Sequence, residues 1–407
     1  MTVVQRAAAI ATAVLVLGLT ACGTDDDGGG AAGGGGGEEG DIKLGLIVPL
    51  TGALAQPGGW IETAVEFAVD EINEGGGIDG RQVQIVTFDD AADPTQTVTG
   101  ANKLISQDNV DFVIGPITTD GMKAILPLET REKVAAVGVV GSPSLTVEEM
   151  PYGFSVLLNA GDQATKMVEY AAGQGGQKVA ILHDSGEQGR TASEVLKEQA
   201  GAAGLEVTGT QQYDVGDADM TAQLLSLKRG RPDQLLLYPT SGEDVGNVLK
   251  GMEQLNWELP VVGGYAAHYA DAIVSVSGEE SLDGLIATAY APFGACPDEG
   301  VPESTESFIT DLEAFDADRA KGISLDLAAS VRDGVWIMKS AIEGAGSTEG
   351  DAVAKWLEEN SSSLGDGLVN QSVSASTDSH FVFGPDAMVL VEPAEEVSSG
   401  IYTRVDC

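Results

Sequence analysis

DIKLGLIVPLTGALAQPGGWIETAVEFAVDEINEGGGIDGRQVQIVTFDDAADP runs from Asp41 to Pro94, and its pattern decides the fold. Ile42 to Val48 is a short apolar run rich in branched residues, which predicts a buried strand. Pro49 to Gly59 is rich in Gly, Pro and Thr and reads as a turn. Ile61, Ala64, Val65, Ala68, Val69 and Ile72 then recur at helical spacing, with Glu62, Glu66, Asp70 and Glu71 between them. Gly75, Gly76 and Gly77 stop that helix, and Val83 to Phe88 is a second strand. Strand, helix, strand is a βαβ unit, so the sheet is parallel and the crossover right-handed.

The same alternation continues. A helix over 95–107, a strand over 110–115, a strand-to-helix turn over 118–121 with a helix after it to about Lys133, and a strand over 134–140 complete an open doubly wound sheet. Phe154 to Leu158 leads out of it, and a second α/β run follows. Its strands are predicted at 178–183, 205–209, 234–238 and 261–263, and its helices at 163–172, 188–203, 220–227 and 243–255. Three later helices, at 304–315, 325–345 and 351–359, have no strands between them.

Upstream, Arg6 precedes an apolar run from Ala7 to Leu19, and Leu19-Thr20-Ala21 precedes Cys22. Residues 1–21 read as a secretory signal, too short to span a bilayer. The Leu-x-Ala-Cys ending looks like a bacterial lipobox, which implies cleavage before Cys22 and a lipid on its sulfur; the alternative is an ordinary signal with an incidental cysteine. Residues 22–40 are nearly all Gly, Asp, Ala and Glu, a tether with a reach on the order of 25 Å. In an exported protein the other two cysteines, Cys296 and Cys407, are expected to pair, the alternative being two buried thiols. The net charge of −42 repels nucleic acid. It otherwise favours a soluble monomer.

The chain offers little chemistry. It has no P-loop, no HExxH and no CxxC. His183, His268 and His380 lack metal-ligand spacing, so neither a metal nor another cofactor is expected. His183-Asp184-Ser185 is the one cluster resembling a catalytic set, but a working triad converges from separate loops, and three consecutive residues read better as a turn lining a cleft. Asp89, Asp90 and Asp93, and likewise Asp214, Asp217 and Asp219, lack the Gly and terminal Glu of a calcium loop and read as caps.

Thr51-Gly52, Ala55, Gly58, Ile72-Asn73, Gly76-Gly77-Ile78, Gly80, Asp89-Asp90-Ala91, Asp93-Pro94 and Gln96, in this order and spacing, resemble the branched-chain amino-acid-binding proteins of ABC importers. The resemblance spans the chain from Asp41 onward and is clearer in the first half. It implies a type I periplasmic-binding-protein fold: two doubly wound α/β lobes joined by a three-segment hinge, with crossings near 158, 288 and 365. Lobe 1 would then hold 41–157 plus 288–365, and lobe 2 would hold 158–287 plus 366–407.

The resemblance also implies a site. Thr119, with Thr118 beside it, falls where the family binds a ligand carboxylate, at a helix N-terminus suited to an anion; the alternative is a helix cap. Val140, Gly141 and Ser142 occupy a loop whose usual Thr hydroxyl is missing, so backbone groups or the Ser142 hydroxyl would substitute. Gln56 and Trp60 fall near an aromatic lid, although Trp60 is displaced and could equally be core. In the second lobe Gln188 replaces a Tyr, Tyr238 leads into Pro239-Thr240-Ser241, and Tyr265 stands where the family's acid meets a ligand ammonium. A buried ammonium without a charged partner is costly. Tyr265, His268 and Tyr269 therefore suggest an aromatic-lined pocket, or else simple packing.

The reading reached is a lipid-anchored extracytoplasmic solute-binding protein serving an ABC permease, not an enzyme. Its small ligand would be an amino acid, aromatic acid or amide, and its contact with the membrane would be through the lipid alone. The alternatives are a sensing partner of a membrane receptor and a hydrolase using Asp184 and Ser185.

Overall fold

The computed structural model describes residues 40–407. The expected signal, the lipidated Cys22 and nearly all of the tether lie outside the described residues. Every residue of β1 (Ile42–Val48) except Lys43 is buried, as a strand covered on both faces requires. It pairs in parallel with β2 (Val83–Asp89) on one side and β3 (Phe112–Ile114) on the other. Parallel β4 (Ala135–Gly138) and β5 (Gly153–Ser155) extend the sheet to the order β2-β1-β3-β4-β5. The crossovers are α1 (Ala55–Glu74), α2 (Pro94–Ser106) and α3 (Thr119–Glu132). Leu44, Leu46 and Val48 join the core under α1, while Ile47 faces Leu104 of α2 and Met122 of α3, the period-two alternation of a strand.

Helix α1 begins at Ala55, earlier than the turn expected up to Gly59. Pro57 lies in its first turn, where a missing N–H removes no intrahelical bond. A Cβ on Gly58 would sit 1.8 Å from the Pro49 carbonyl oxygen, so only glycine lets the helix start this close to β1. Gln56 and Trp60 thus stand on a helix end instead of a loop.

The second sheet repeats the order. β6 (Lys178–Asp184) lies between β7 (Glu206–Tyr213) and β8 (Gln234–Tyr238), followed by β9 (Val261–Gly263) and β10 (Leu285–Tyr290), all parallel. Their crossovers are α4 (Ala160–Gly173), α5 (Glu187–Ala202), α6 (Thr221–Lys228) and α7 (Gly242–Gln254), and α8 (Ala270–Ser277) precedes β10. β7 outruns the predicted 205–209 because its parallel pairing with β6 continues, after a register shift at Thr208, from Gly209 to Tyr213. Beyond β10 the sheet gains β11 (Gly294–Ala295) and the antiparallel hairpin of β12 (Met388–Ser398) and β13 (Ile401–Arg404). Cys296 and Cys407 are joined by a disulfide, Cα–Cα 5.5 Å, which ties the chain end to β11.

Between these elements come α9 (Glu303–Phe315), α10 (Ala317–Ala320), α11 (Leu325–Ala345) and α12 (Gly350–Asn360). Helices α9, α11 and α12 share the core of α1. Residues 369–383 also lie with the first sheet. Val369 and Asn370 donate backbone N–H to Asp333 of α11, and Ser155 exchanges backbone bonds with His380 and Val382. The resemblance implied crossings near 158, 288 and 365; from these contacts and the strands of the second sheet we propose 156–159, 296–302 and 384–387. Among the described residues no helix is long and apolar enough to cross a membrane.

Candidate functional site

Strand order reverses beside the first strand of each lobe, between β1 and β3 and between β6 and β8. Ligand crevices form at such switch points, beyond the carboxyl ends of the strands. The loop after β1 is pinned by Asp89, which accepts from the Leu50 N–H and the Thr51 hydroxyl, both at 2.8 Å. Asp93 caps α2 through the Thr95 and Gln96 N–H groups, and Asp219 likewise holds the Thr221 N–H. These carboxylates hold backbone.

Groups expected in the site bridge the two lobes beside the 156–159 crossing. The Gly141 N–H donates to Gln188 Oε1 at 3.1 Å, and Gln188 Nε2 donates to the Tyr238 hydroxyl at 2.9 Å. Ser142 Oγ lies 3.2 Å from Thr191 Oγ1. A Cβ on Gly141 would sit 2.6 Å from Gln188 Nε2 and 2.8 Å from the Leu158 carbonyl oxygen, so this junction requires glycine. Beside it Lys123 of α3 meets Glu187 of α5 at 2.9 Å, and Ser144 donates to the same carboxylate at 2.6 Å. Burial would raise the Glu187 pKa; the Ser144 and Lys123 hydrogen bonds outweigh it and hold the group below its ordinary value.

Other expected residues play different parts. Thr118 caps α3 by accepting the Gly121 N–H, and Ser241 caps α7 by accepting the Asp244 N–H. Val140 is core, its carbonyl bonded by Ser155 Oγ. Thr119 is buried, and its Oγ1 has no hydrogen-bond partner. In the His183-Asp184-Ser185 cluster, His183 Nδ1 contacts the Asp184 carbonyl, while the Asp184 carboxylate accepts from the Gly186 N–H and the Thr240 hydroxyl. The carboxylate therefore orients a loop and not the imidazole, so the arrangement is no relay.

The cavity lies on the other side of the cleft. It measures about 820 Å³ and is bounded by Gln56 and Trp60 from lobe 1 and by His268, Tyr269 and Tyr402 from lobe 2. Trp60 and Tyr269 meet edge to face across it, centroids 5.9 Å apart. Tyr265 packs against Tyr269 and Tyr290 at 5.5 Å, and its hydroxyl is buried without a hydrogen-bond partner. Beneath it Gln163 Oε1 accepts from the Tyr265 N–H and the Thr288 hydroxyl, and Gln163 Nε2 donates to the Leu158 carbonyl. One buried amide so links the site to two strand ends at the lobe junction.

Sequence reasoning missed Asp326, at the start of α11. His268 Nε2 lies 2.7 Å from Asp326 Oδ2, and both side chains are buried. Burial pushes the Asp326 pKa up, but the His268 charge and the Ser324 and Leu327 hydrogen bonds leave it below the ordinary value. Fifty-eight residues separate His268 from Asp326 in the chain, and no motif joins them.

A family model described as periplasmic binding protein matches residues 41–391. The chain belongs to this family, in the type I form of the branched-chain amino-acid-binding proteins, and is a binding protein by fold and relatives. It is 28% identical over 327 residues to a Leu/Ile/Val-binding protein homolog of Brucella melitensis, covering 78% of this chain and 83% of that one. It is 27% identical to a leucine-, isoleucine-, valine-, threonine- and alanine-binding protein of Pseudomonas aeruginosa, covering 78% and 82%. A periplasmic binding protein type 1 from Bordetella pertussis superposes with a TM-score of 0.76 at 25% identity, covering 86% of this chain and 96% of that structure.

Proposed function

We propose that this protein is the extracytoplasmic, lipid-anchored receptor of an ABC importer, capturing a small amino-acid-like solute between two hinged lobes. The observation that carries this reading is the bridge across the cleft. Gly141 meets Gln188 and Lys123 meets Glu187 along one side, and a cavity of about 820 Å³ bounded by Gln56, Trp60, His268 and Tyr269 lies on the other. Hinge closure on a ligand uses such an arrangement: a few polar contacts that form only when the lobes meet. A cavity of this volume suits a small molecule. The Leu/Ile/Val-binding relatives support an amino-acid-like solute, and the Leu-x-Ala-Cys ending at Cys22 supports the anchor.

The test is calorimetric titration of the full chain with leucine, isoleucine, valine, aromatic acids and amides, with small-angle scattering on the same samples. Saturable one-to-one binding with a change in radius of gyration is expected. No binding by any compound overturns the reading. Cys22→Ser in a bacterial host should release the protein from the membrane fraction; retention would overturn the anchor.

A further inference from the structure

A second cavity, of about 240 Å³, shares no described wall residue with the larger one in the cleft. Its walls come from the hinge. Ala291 and Pro292 follow β10 in lobe 2, and Pro302 ends the 296–302 crossing. Residues 369–372 belong to the segment packed against the first sheet, and Ala387 ends the 384–387 crossing. Two of the three crossings and both lobes therefore meet around one small space. The Thr305 hydroxyl, in the first turn of α9, donates to the Pro292 carbonyl at 3.1 Å and ties the lobes together beside it.

The chain has 63 acidic residues, yet among the described residues no charged side chain lines this cavity. A charged occupant would lose its hydration there without gaining a counter-ion, so the cavity selects for neutral molecules. Five of its nine wall residues are Ala, Pro or Val, which suits an apolar body. Asn370, also in the wall, supplies the polar feature. Its backbone N–H and its Nδ2 both donate to Asp333 Oδ2, at 2.7 and 3.1 Å, which fixes which end of the amide is oxygen. Asn370 Oδ1 is left buried without a hydrogen-bond partner. An incoming N–H or O–H would remove the cost of that unmet acceptor. Sites for drug-sized ligands span about 300–1,000 Å³, so the occupant of this one is smaller still.

We propose that this cavity is a second binding site, for a small neutral molecule with an apolar body and one N–H or O–H donor, and that its occupant regulates the hinge. Hinge bending shifts the crossings relative to one another. A molecule in contact with two of them binds one lobe angle better than any other, and so holds the lobes at that angle. By linkage, occupancy here and occupancy of the cleft then alter one another's affinity. The proposal rests on the two-lobe hinge and not on what the cleft captures.

The test is NMR of the full chain with labelled alanine methyl groups, titrated with butanamide, and with butyrate and butylammonium as charged controls. Saturable shifts at the Ala291 and Ala387 methyls are expected with butanamide, and none with either control. Ser304→Leu adds an apolar side chain to the cavity wall and should weaken butanamide at least tenfold. Ala387→Leu fills the same space from the buried side and decides the matter if Ser304→Leu does not fold. Hydrogen exchange over 296–302 and 384–387 should slow at saturating butanamide. No saturable shift, or shifts that survive the filling substitution, overturns the site. Equal shifts with a charged control overturn the chemical class, and shifts without slower exchange overturn the regulatory role. Solute binding in the cleft is read in a separate titration, so each of these failures leaves that reading standing.

Discussion

Glu129 sits in the last turn but one of α3, wholly buried, and neither carboxylate oxygen has a hydrogen-bond partner. Burial alone pushes its pKa from 4.5 up to about 8. At pH 7 the folded protein therefore holds this group neutral, while the unfolded chain ionises it. Each pKa unit corresponds to about 1.4 kcal/mol, so across the interval between 4.5 and pH 7 folding loses on the order of 3 kcal/mol. The sign is fixed: stability from this group is full below pH 4.5 and is lost progressively as pH rises towards 8. Glu129→Met keeps an unbranched side chain of similar length and removes the titration. Urea unfolding of both proteins at pH 5, 6, 7 and 8 should show the variant gaining on the parent by about 1.4 kcal/mol per unit up to pH 7, reaching roughly 3 kcal/mol there and levelling off towards 8. A difference that stays flat over that range would mean that Glu129 is ionised in the folded protein, and the burial argument would fail. The same α3 carries Thr119 and Lys123 at its other end, so the variant should also leave ligand affinity unchanged.

Other changes probe the lobe junction. Gln163→Leu removes three buried hydrogen bonds, those to the Tyr265 N–H, the Thr288 hydroxyl and the Leu158 carbonyl; thermal denaturation should show a loss of about 2–4 kcal/mol. Serine at both Cys296 and Cys407 frees a closed segment of 111 residues and should cost about 2–5 kcal/mol, read as a lower Tm that the parent reproduces in reducing agent. Lys123→Met strips Glu187 of its cation, but the pair is partly exposed, so the stability loss should stay under about 1 kcal/mol, and scattering should show more open lobes. Unchanged scattering would argue that Gln188 and Gly141 alone hold that edge of the cleft.

Local patterns carried most of the fold. The strand at Ile42–Val48, the helical spacing from Ile61 to Ile72 and the glycines that end it were readable because a strand repeats every two residues and a helix every 3.6. Boundaries failed where a tertiary contact overrode propensity. Helix α1 starts early because Gly58 packs on the Pro49 carbonyl, and β7 runs long because it pairs with β6 beyond Gly209. Both exceptions follow from neighbours that no local window contains.

The site divides in the same way. That Gln56 and Trp60 stand near the end of β1, and Gly141 and Gln188 near the ends of β4 and β6, could be inferred from the chain, since strand order and loop position follow from the βαβ pattern and the resemblance. Which of these groups face a cavity and which satisfy one another was not inferable. Gln188 bridges Gly141 and Tyr238, Ser241 turns to its own helix, and Asp326 meets His268 across the cleft. The contacts of Gln188 with Gly141 and of Asp326 with His268 depend on the angle between the two lobes, which is set by the sum of all contacts at their junction and which no single stretch of sequence encodes.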